Sequence, residues 1–292
     1  MTQKLRLSFG DRIFNITNTL LISLITLLCL YPMFHVTVAS LSEPIRIMNH
    51  QGPLVWPLGF SLEGYRVVLS NPNISTGYFN TIFYLVIGSA VNMAMTTLGA
   101  YALAQREFML KKAFMLMIVF TMYFTGGIIP NFLLVRSLGL LNTRWALILP
   151  GAIGTWNMLV LRTAFRAVPQ AMEDAARIDG ANDFIILIKV IIPVSKATMA
   201  VILLFYAVGH WNSWFNAMIY LPRARNLYPL QLFLRETLIA NSEVAGADPT
   251  IDFVGELVKY STIIVSTVPI LLLYPFLQRY FVKGVMMGSV KG

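Results

Sequence analysis

Residues 13–39 read IFNITNTLLISLITLLCLYPMFHVTVA, and this stretch contains no Asp, Glu, Lys or Arg. A helix rises 1.5 Å per residue, so about 20 apolar residues cross the roughly 30 Å hydrocarbon core of a bilayer. The stretch is too long for the apolar region of a signal peptide, and no small-residue cleavage site follows it. We therefore predict that it forms a retained first transmembrane helix.

Five further uncharged runs are long enough to cross a bilayer, namely residues 80–104, 113–135, 145–161, 197–221 and 260–277. Charged residues make up 12% of the chain, about half of the fraction in a typical soluble domain. We therefore predict an all-α membrane protein whose six transmembrane helices form a single domain. Gly126-Gly127 and Pro130 predict a broken or re-entrant end of the third helix, and Pro150 with Gly151 predicts a kink in the fourth.

The loop charges predict the orientation. If the N-terminus is inside, 14 of the 22 Lys and Arg residues lie in inner segments, which are residues 1–12, 105–112, 162–196 and 278–292. This excess matches the positive-inside rule and places both termini in the cytoplasm. Residues 43–79 and 222–259 are then outer loops. The basic residues are spread over several segments, so the net charge of +9 does not indicate binding to nucleic acid.

The inner segment 162–196 carries the most informative motif. Residues 169–184 read PQAMEDAARIDGANDF. Pro169 opens a short helix, acidic residues fill its first turn and Gly180 ends it. Asn182 or Asp183 then caps a second short helix that runs to the next proline. The pattern predicts a helix–turn–helix that lies outside the bilayer.

This segment resembles the cytoplasmic signature of permease subunits of ABC importers. The matching residues are Asp174-Ala175-Ala176, then Gly180, and nine residues further on Val190-Ile191-Ile192-Pro193. Asp179-Gly180-Ala181 is similar to the form found in sugar importers. The chain departs from the pattern where Asp174 replaces the usual Glu, and where Val190 and Ile192 replace the usual Ile and Leu.

Other segments extend the resemblance over nearly the whole chain. Residues 138–143 (LGLLNT) and the C-terminal residues 278–280 and 288–292 are similar to segments of maltose-type permeases. Residues 211–216 (WNSWFN) and 228–231 (YPLQ) resemble the branch that imports larger or acidic oligosaccharides, such as alginate or pectin fragments. The resemblance implies a bacterial inner-membrane permease for oligosaccharides that works by alternating access.

The resemblance also implies the partners and the coupling residues. The expected partners are a second and different six-span permease, an ATPase dimer at the cytoplasmic face and an extracytoplasmic substrate-binding protein. Glu173, Asp174 and Arg177 are expected to make polar contacts with the ATPase, and Ala175 and Ala176 to allow a close fit. The full set of expected coupling residues is Glu173, Asp174, Ala175, Ala176, Arg177, Asp179, Gly180, Pro193, Lys291 and Gly292.

Polar and small residues at helical spacing in the fifth run suggest a sugar path. The candidates are Tyr206, Asn212, Ser213, Asn216 and Tyr220, because aromatic faces stack on sugar rings and amides bond hydroxyl groups. Helix packing and an interfacial aromatic belt explain the same pattern equally well. For a similar stripe in the second run, packing is the favoured interpretation; that stripe is Gly88, Ser89, Asn92, Thr96 and Gly99. The outer loop 222–259 either faces the binding protein or is simply solvated.

Three other classes compete with the sugar importer: an ABC permease for a non-sugar solute, a secondary transporter and an intramembrane enzyme. No Asp or Glu lies in the six runs, which disfavours an intramembrane coupling residue or a catalytic carboxylate. No phosphate-binding loop motif occurs, so we expect ATP and Mg²⁺ on the partner ATPase and no enzyme activity or cofactor in this chain. Its three His residues are scattered, which gives no support for a metal site.

Overall fold

The computed structural model describes residues 9–106, 108–244 and 258–272, and these form helices without any strand. In chain order the helices are α1 Phe9–Ser40, α2 Pro44–Met48, α3 Glu63–Ser70, α4 Pro72–Ala104, α5 Lys111–Tyr123, α6 Ile128–Ser137, α7 Trp145–Ile148, α8 Thr155–Arg166, α9 Gln170–Ile178, α10 Asp183–Val194, α11 Lys196–Trp211, α12 Phe215–Tyr220, α13 Leu230–Val244 and α14 Val258–Leu272. The all-helical class that the sequence predicted is confirmed for these residues.

The helices form two compact units. Among the described residues, the first contains residues 9–70, 237–244 and 258–267, and the second contains residues 71–106, 108–236 and 268–272. Within the first unit α1 is 32 residues long and its apolar side chains are largely exposed, as expected for a helix whose solvent is lipid. Val38 and Ala39 at the end of α1 pack against Leu54 and Tyr260.

Among the described residues α1 and α4 are each long and apolar enough to cross a membrane. Two bent pairs pass the same test together: α5 with α6, at an angle of 115°, and α10 with α11, at 87°. The predicted break at Gly126-Gly127 is confirmed, because α5 ends at Tyr123 and Gly127 has φ +83° immediately before α6. The count of six spans stays a prediction, and the last predicted span, 260–277, is described only to Leu272.

The fourth and fifth predicted spans differ from the observed helices. In the fourth, α7 gives way to a 3₁₀ turn, Leu149–Gly151, and α8 begins only at Thr155, so the expected kink is an interruption. α8 then continues to Arg166, beyond the predicted end at Leu161. In the fifth, α11 ends at Trp211 and α12 starts at Phe215.

The core of the second unit packs α10 against the ends of α4 and α8. Ala100 and Leu103 of α4, Leu161 and Phe165 of α8, and Ile186 of α10 are all buried in one cluster. Each large aliphatic or aromatic side chain buried in this way contributes about 1.5–3 kcal/mol, which fixes α10 firmly against the ends of α4 and α8.

Candidate functional site

The turn between α9 and α10 is a Schellman motif. The Ala181 N–H donates to the Ala176 carbonyl at 2.9 Å, and the Gly180 N–H donates to the Arg177 carbonyl at 3.0 Å. Gly180 has φ +78°, a backbone conformation that costs other residues roughly 1–2 kcal/mol. Nothing lies within 4 Å of a Cβ built at this position, so Gly180 is needed for its backbone freedom and not for a close approach.

The start of α10 decides an alternative that the sequence left open. The Asn182 side chain accepts a hydrogen bond from the Ile185 N–H at 2.9 Å, so Asn182 is the cap. Asp183 instead pairs with Arg177 of α9 at 2.8 Å, and both side chains are exposed. The turn and this ion pair together hold the two short helices as one hairpin, residues 170–194, which we call the coupling hairpin.

Ala175 and Ala176, the two neighbouring alanines of the motif, have different surroundings. Ala176 and Ala181 pack against the buried cluster of this chain, which by itself accounts for their small size. Ala175 is exposed, as is Ile178 with 87% of its surface accessible. The expectation that both alanines allow a close fit to a partner stays a prediction; Ala175 is exposed and Ala176 is half-buried.

The charged residues of α9 line a cleft of about 170 Å³ beside the ends of α4 and α8. Glu173, Asp174 and Arg177 contribute from α9, and Arg106 and Arg166 face them from the neighbouring segments. Glu173 is half-buried and Asp174 is exposed, so Asp174 is the more accessible carboxylate.

The remaining coupling candidates do not share one location. Asp179 and Pro193 are exposed at opposite ends of α10, the one before its start and the other in its last turn. Lys291 and Gly292 lie outside the described residues.

The hydroxyl group of Tyr206 in α11 makes hydrogen bonds within the protein. This hydroxyl lies 2.6 Å from Thr96 Oγ1 of α4 and accepts a hydrogen bond from the Gly154 N–H at 2.8 Å, just before α8. The ring is buried. Tyr206 therefore ties α4, α8 and α11 together, whatever role it has in a transport path.

A second polar contact lies one turn away on the same helices. His210 Nε2 lies 2.7 Å from Asn92 Oδ1, and Asn92 Nδ2 donates to the Gly151 carbonyl at 2.6 Å. A Cβ added at Gly88 would lie 2.5 Å from the His210 ring, which confirms the packing interpretation of the second stripe at this position. The partner of His210 was not evident from the sequence, since Asn92 is 118 residues away. We call Asn92, Thr96, Tyr206 and His210 the polar network.

The other path candidates are not on one continuous helix. Asn212 and Ser213 fall in the break between α11 and α12, and the Asn212 side chain donates back to the Val208 carbonyl at 3.0 Å. Asn216 of α12 is exposed, whereas Tyr220 is buried and stacks on Phe132 with ring centroids 6.5 Å apart. The predicted stripe is therefore divided in two, and only its members outside the packed core are open to a ligand.

Arg235, an arginine of the predicted outer loop 222–259, lies beside the break at a position that the sequence did not predict. The Arg235 guanidinium of α13 lies 4.6 Å from the Trp214 ring centroid, and its Nη1 lies 3.5 Å from the weak acceptor Met218 Sδ. Arg225, by contrast, is paired with Glu236 at 2.7 Å. Within the described part of the chain Arg235 has no carboxylate partner, so its guanidinium retains donors for a bound anion.

The long apolar helices of the described residues, several of them interrupted, are typical of an integral membrane protein. In the described ranges no group of His, Cys, Asp and Glu could hold a metal ion.

Comparison with known proteins identifies the family. Residues 95–219 match the model of the binding-protein-dependent transport system inner membrane component. The polygalacturonan/rhamnogalacturonan transport system permease protein YtcP of Bacillus subtilis (strain 168) is 38% identical over 289 residues, which cover 97% of this chain and 99% of that protein. Protein LplC of the same organism is 34% identical over 97% of this chain and 96% of its own length.

A solved structure agrees with the sequence relatives. It is a chain of a bacterial ABC transporter involved in the import of the acidic polysaccharide alginate, with a TM-score of 0.87 and 37% identity, covering 95% of this chain and 100% of that one. The chain belongs to the family of binding-protein-dependent transport system inner membrane components. It is an inner-membrane permease of the ABC transporter class, as the resemblance in its sequence implied.

Proposed function

We propose that this chain is one of two six-span permease subunits of an ATP-driven importer of oligosaccharides. Its spans are the six uncharged runs, with both termini and residues 162–196 in the cytoplasm and residues 43–79 and 222–259 outside. The second subunit is a different permease, and a binding protein delivers the substrate from outside. A separate ATPase dimer binds ATP and Mg²⁺ and supplies the energy, and this chain contributes no catalytic residue.

The observation that carries the proposal is the geometry of the coupling hairpin. Its outer face offers Ala175, Ile178 and the exposed carboxylate Asp174, while its inner face is packed into the core of the permease. A partner that binds the outer face therefore moves the hairpin as a rigid body. The buried side chains Ile186 and Ile191 of α10 pass this movement to α4 and α8.

The breaks in the helices allow this movement. An 87° bend separates α10 from α11, and the 3₁₀ turn Leu149–Gly151 precedes α8. Residues at helix ends absorb dihedral changes at lower cost than helix interiors, so these points serve as hinges. Closure of the ATPase dimer then rocks the permease between its inward-open and outward-open states.

We propose an acidic oligosaccharide as the substrate class, with alginate or pectin fragments as candidates. Two related proteins support this, because both the B. subtilis permease and the solved transporter carry the names of acidic polysaccharides. Arg235 beside Trp214 fits the proposal, since a guanidinium pairs with a sugar carboxylate and an indole stacks on a sugar ring. Asn212, Ser213 and Asn216 lie close by in sequence and are candidates for bonding hydroxyl groups.

The docking proposal is tested by reversing one exposed charge. We expect Asp174→Lys to abolish ATP-dependent uptake in vesicles that contain the complete transporter, because it replaces an attractive contact with the ATPase by a repulsive one. The matched control is Glu63→Lys, which reverses an exposed carboxylate of α3 in a predicted outer loop. Unchanged substrate-stimulated ATP hydrolysis in the Asp174 variant would overturn the docking role.

The substrate proposal is tested separately at the outer end. We expect Arg235→Gln to reduce uptake of an acidic oligosaccharide by about tenfold, the cost of one charge-assisted hydrogen bond of roughly 1.5 kcal/mol. Uptake by Arg66→Gln, which removes an exposed outer charge of α3, should be normal. If Arg235→Gln takes up the acidic oligosaccharide as the unmodified transporter does, the residue has no role in recognising the carboxylate.

A further inference from the structure

A second cleft lies beside the junction of α5 and α8 and plays no part in the proposed coupling mechanism. It has a volume of about 530 Å³. Its lining divides into cations at one end and apolar side chains at the other: Lys111, Lys112, Arg162 and Arg166, then Met115, Leu116 and Val119.

Two of the four cations already have a structural role. Lys111 Nζ donates to the Gln105 carbonyl at 2.8 Å and to the Ala104 carbonyl at 3.3 Å, and Arg162 Nε donates to the Leu103 carbonyl at 3.0 Å. These contacts satisfy the last carbonyls of α4, where cations are favoured.

The other two cations, Lys112 and Arg166, make no ion pair with any described residue, and both are exposed. They are not needed to cap α4. They remain available to a ligand that enters the cleft.

Three of the four cations, Lys111, Arg162 and Arg166, repel one another. Burial, together with the charges of Arg166, Arg162 and Arg106, lowers the pKa of Lys111, which lies just outside the predicted third span. Burial and then Arg166 likewise lower the pKa of Arg162. No acidic side chain among the described residues lines the cleft. A bound anion would relieve this repulsion, since opposite charges at short range favour the ionised form of each cation.

At the apolar end of the cleft Leu116 faces the surroundings, whereas Met115 is half-buried and packs against the buried cluster. α5 has no buried side chain, and Leu116 is 72% exposed. Lys111 and Lys112 stand at the start of this apolar helix, where the uncharged run 113–135 begins. A cationic end followed by an apolar wall at the membrane boundary has the polarity of a phospholipid, a charged phosphate followed by acyl chains.

We propose that this cleft binds an anionic phospholipid of the inner membrane, with its phosphate between Lys112 and Arg166 and an acyl chain along Met115, Leu116 and Val119. The proposal rests on the inner-membrane location of the family and not on the docking of the ATPase. Arg166 also lines the cleft under α9, so the lipid would contact the helix that bears the coupling hairpin. The lipid then stabilises the position of α8 relative to the membrane.

The experiment is native mass spectrometry of the complete transporter released from nanodiscs that contain phosphatidylglycerol or, in parallel, phosphatidylcholine. We expect the unmodified transporter to retain phosphatidylglycerol, and Lys112→Gln with Arg166→Gln to reduce its retention at least about tenfold, as expected for two cations near a membrane surface. The matched control is Lys189→Gln with Lys196→Gln, which removes the same charge elsewhere and should change retention less than about twofold.

Three further measurements distinguish a bound lipid from misfolding of the variant and from a site for free phosphate. Lys112→Arg with Arg166→Lys keeps both charges and should retain the lipid, which distinguishes charge from misfolding. Glu107, the acidic residue adjacent to Arg106, lies outside the described residues, and Glu107→Gln should not weaken retention. Excess inorganic phosphate should not displace the lipid, because it supplies no acyl chain. Equal retention of both lipids, no loss in the double variant, or displacement by phosphate would each overturn the proposal.

Discussion

The coupling hairpin and the polar network differ in how their contacts are distributed along the chain. In the hairpin, Arg177 pairs with Asp183 six residues away, and the Ala181–Ala176 bond spans five. In the network, Asn92 bonds Gly151 across 59 residues and His210 across 118. The hairpin is therefore built by its own sequence, whereas the network exists only when α4, α8 and α11 have packed.

The two regions should also divide stability and function between them. The hairpin exposes its charged groups, and exposed ion pairs are worth little because water screens them. The network buries its polar groups, and each one deprived of its partner costs free energy that packing must supply. Changes in the hairpin are expected to affect transport, and changes in the network are expected to affect the free energy of unfolding.

The largest effect is expected at the turn of the hairpin. Gly180→Pro cannot adopt φ +78° and has no N–H to donate to the Arg177 carbonyl, so the Schellman motif is lost. We expect uptake to fall below detection while the protein still inserts into the membrane. Gly180→Asn is the matched control, because asparagine tolerates the left-handed conformation, and it should retain most of the uptake. Full uptake by the proline variant would show that the turn has no coupling role.

The next largest effect is expected in the network. Asn92 is 1% exposed, and Asn92→Leu leaves the Gly151 carbonyl and His210 without this partner. We expect a loss of about 1–2 kcal/mol in the free energy of unfolding in detergent. Thr163→Val is the control, because Thr163 is exposed and bonds only the Leu159 carbonyl of its own helix. A loss no larger than that of the control would show that the polar network does not contribute to the free energy of unfolding.

Tyr206→Phe tests whether this residue packs or binds substrate. The variant keeps the ring and loses the bonds to Thr96 and to the Gly154 N–H. We expect a loss of about 1 kcal/mol in the free energy of unfolding with the KM for uptake unchanged. Tyr123→Phe, at an exposed tyrosine of α5, should change neither quantity. A raised KM with unchanged stability would instead assign Tyr206 to the transport path.

The smallest change in stability is expected at Arg177. Its partner Asp183 is exposed, so Arg177→Gln should lower the free energy of unfolding by less than about 1 kcal/mol. If the hairpin docks on the ATPase, the same variant should still reduce uptake several-fold, because Arg177 is one of the residues expected to make polar contacts with the ATPase. Normal uptake with a large loss of stability would show that Arg177 contributes to stability and not to transport.

The sequence predicted the hairpin closely because its signals are local. The helix following Pro169, the turn at Gly180 and the cap were each encoded by residues within a few positions of the feature. The structure decided only between Asn182 and Asp183. The break at Gly126-Gly127 was predictable for the same reason, since glycine and proline act on the backbone where they stand.

The remaining features depend on contacts that one sequence does not reveal. The packing of Ala176 against the buried cluster was not evident from the sequence. The end of α11 at Trp211 had a weak signal, because Asn212 and Ser213 bond the preceding turn and favour helix ends. No signal in the sequence predicted the pairing of His210 with Asn92 or the position of Arg235 over Trp214.

The most direct test of the account is a crosslink from the outer face of the hairpin. Cys29 is the single native cysteine, so Cys29→Ser with Ala175→Cys gives one reactive thiol on the exposed face of α9. In membranes that contain the complete transporter, we predict that a short thiol-directed photocrosslinker at this position yields a product with the ATPase, and that the yield changes when ATP is trapped. Labelling of the thiol from outside intact cells, or the absence of any ATPase product, would contradict the central claim.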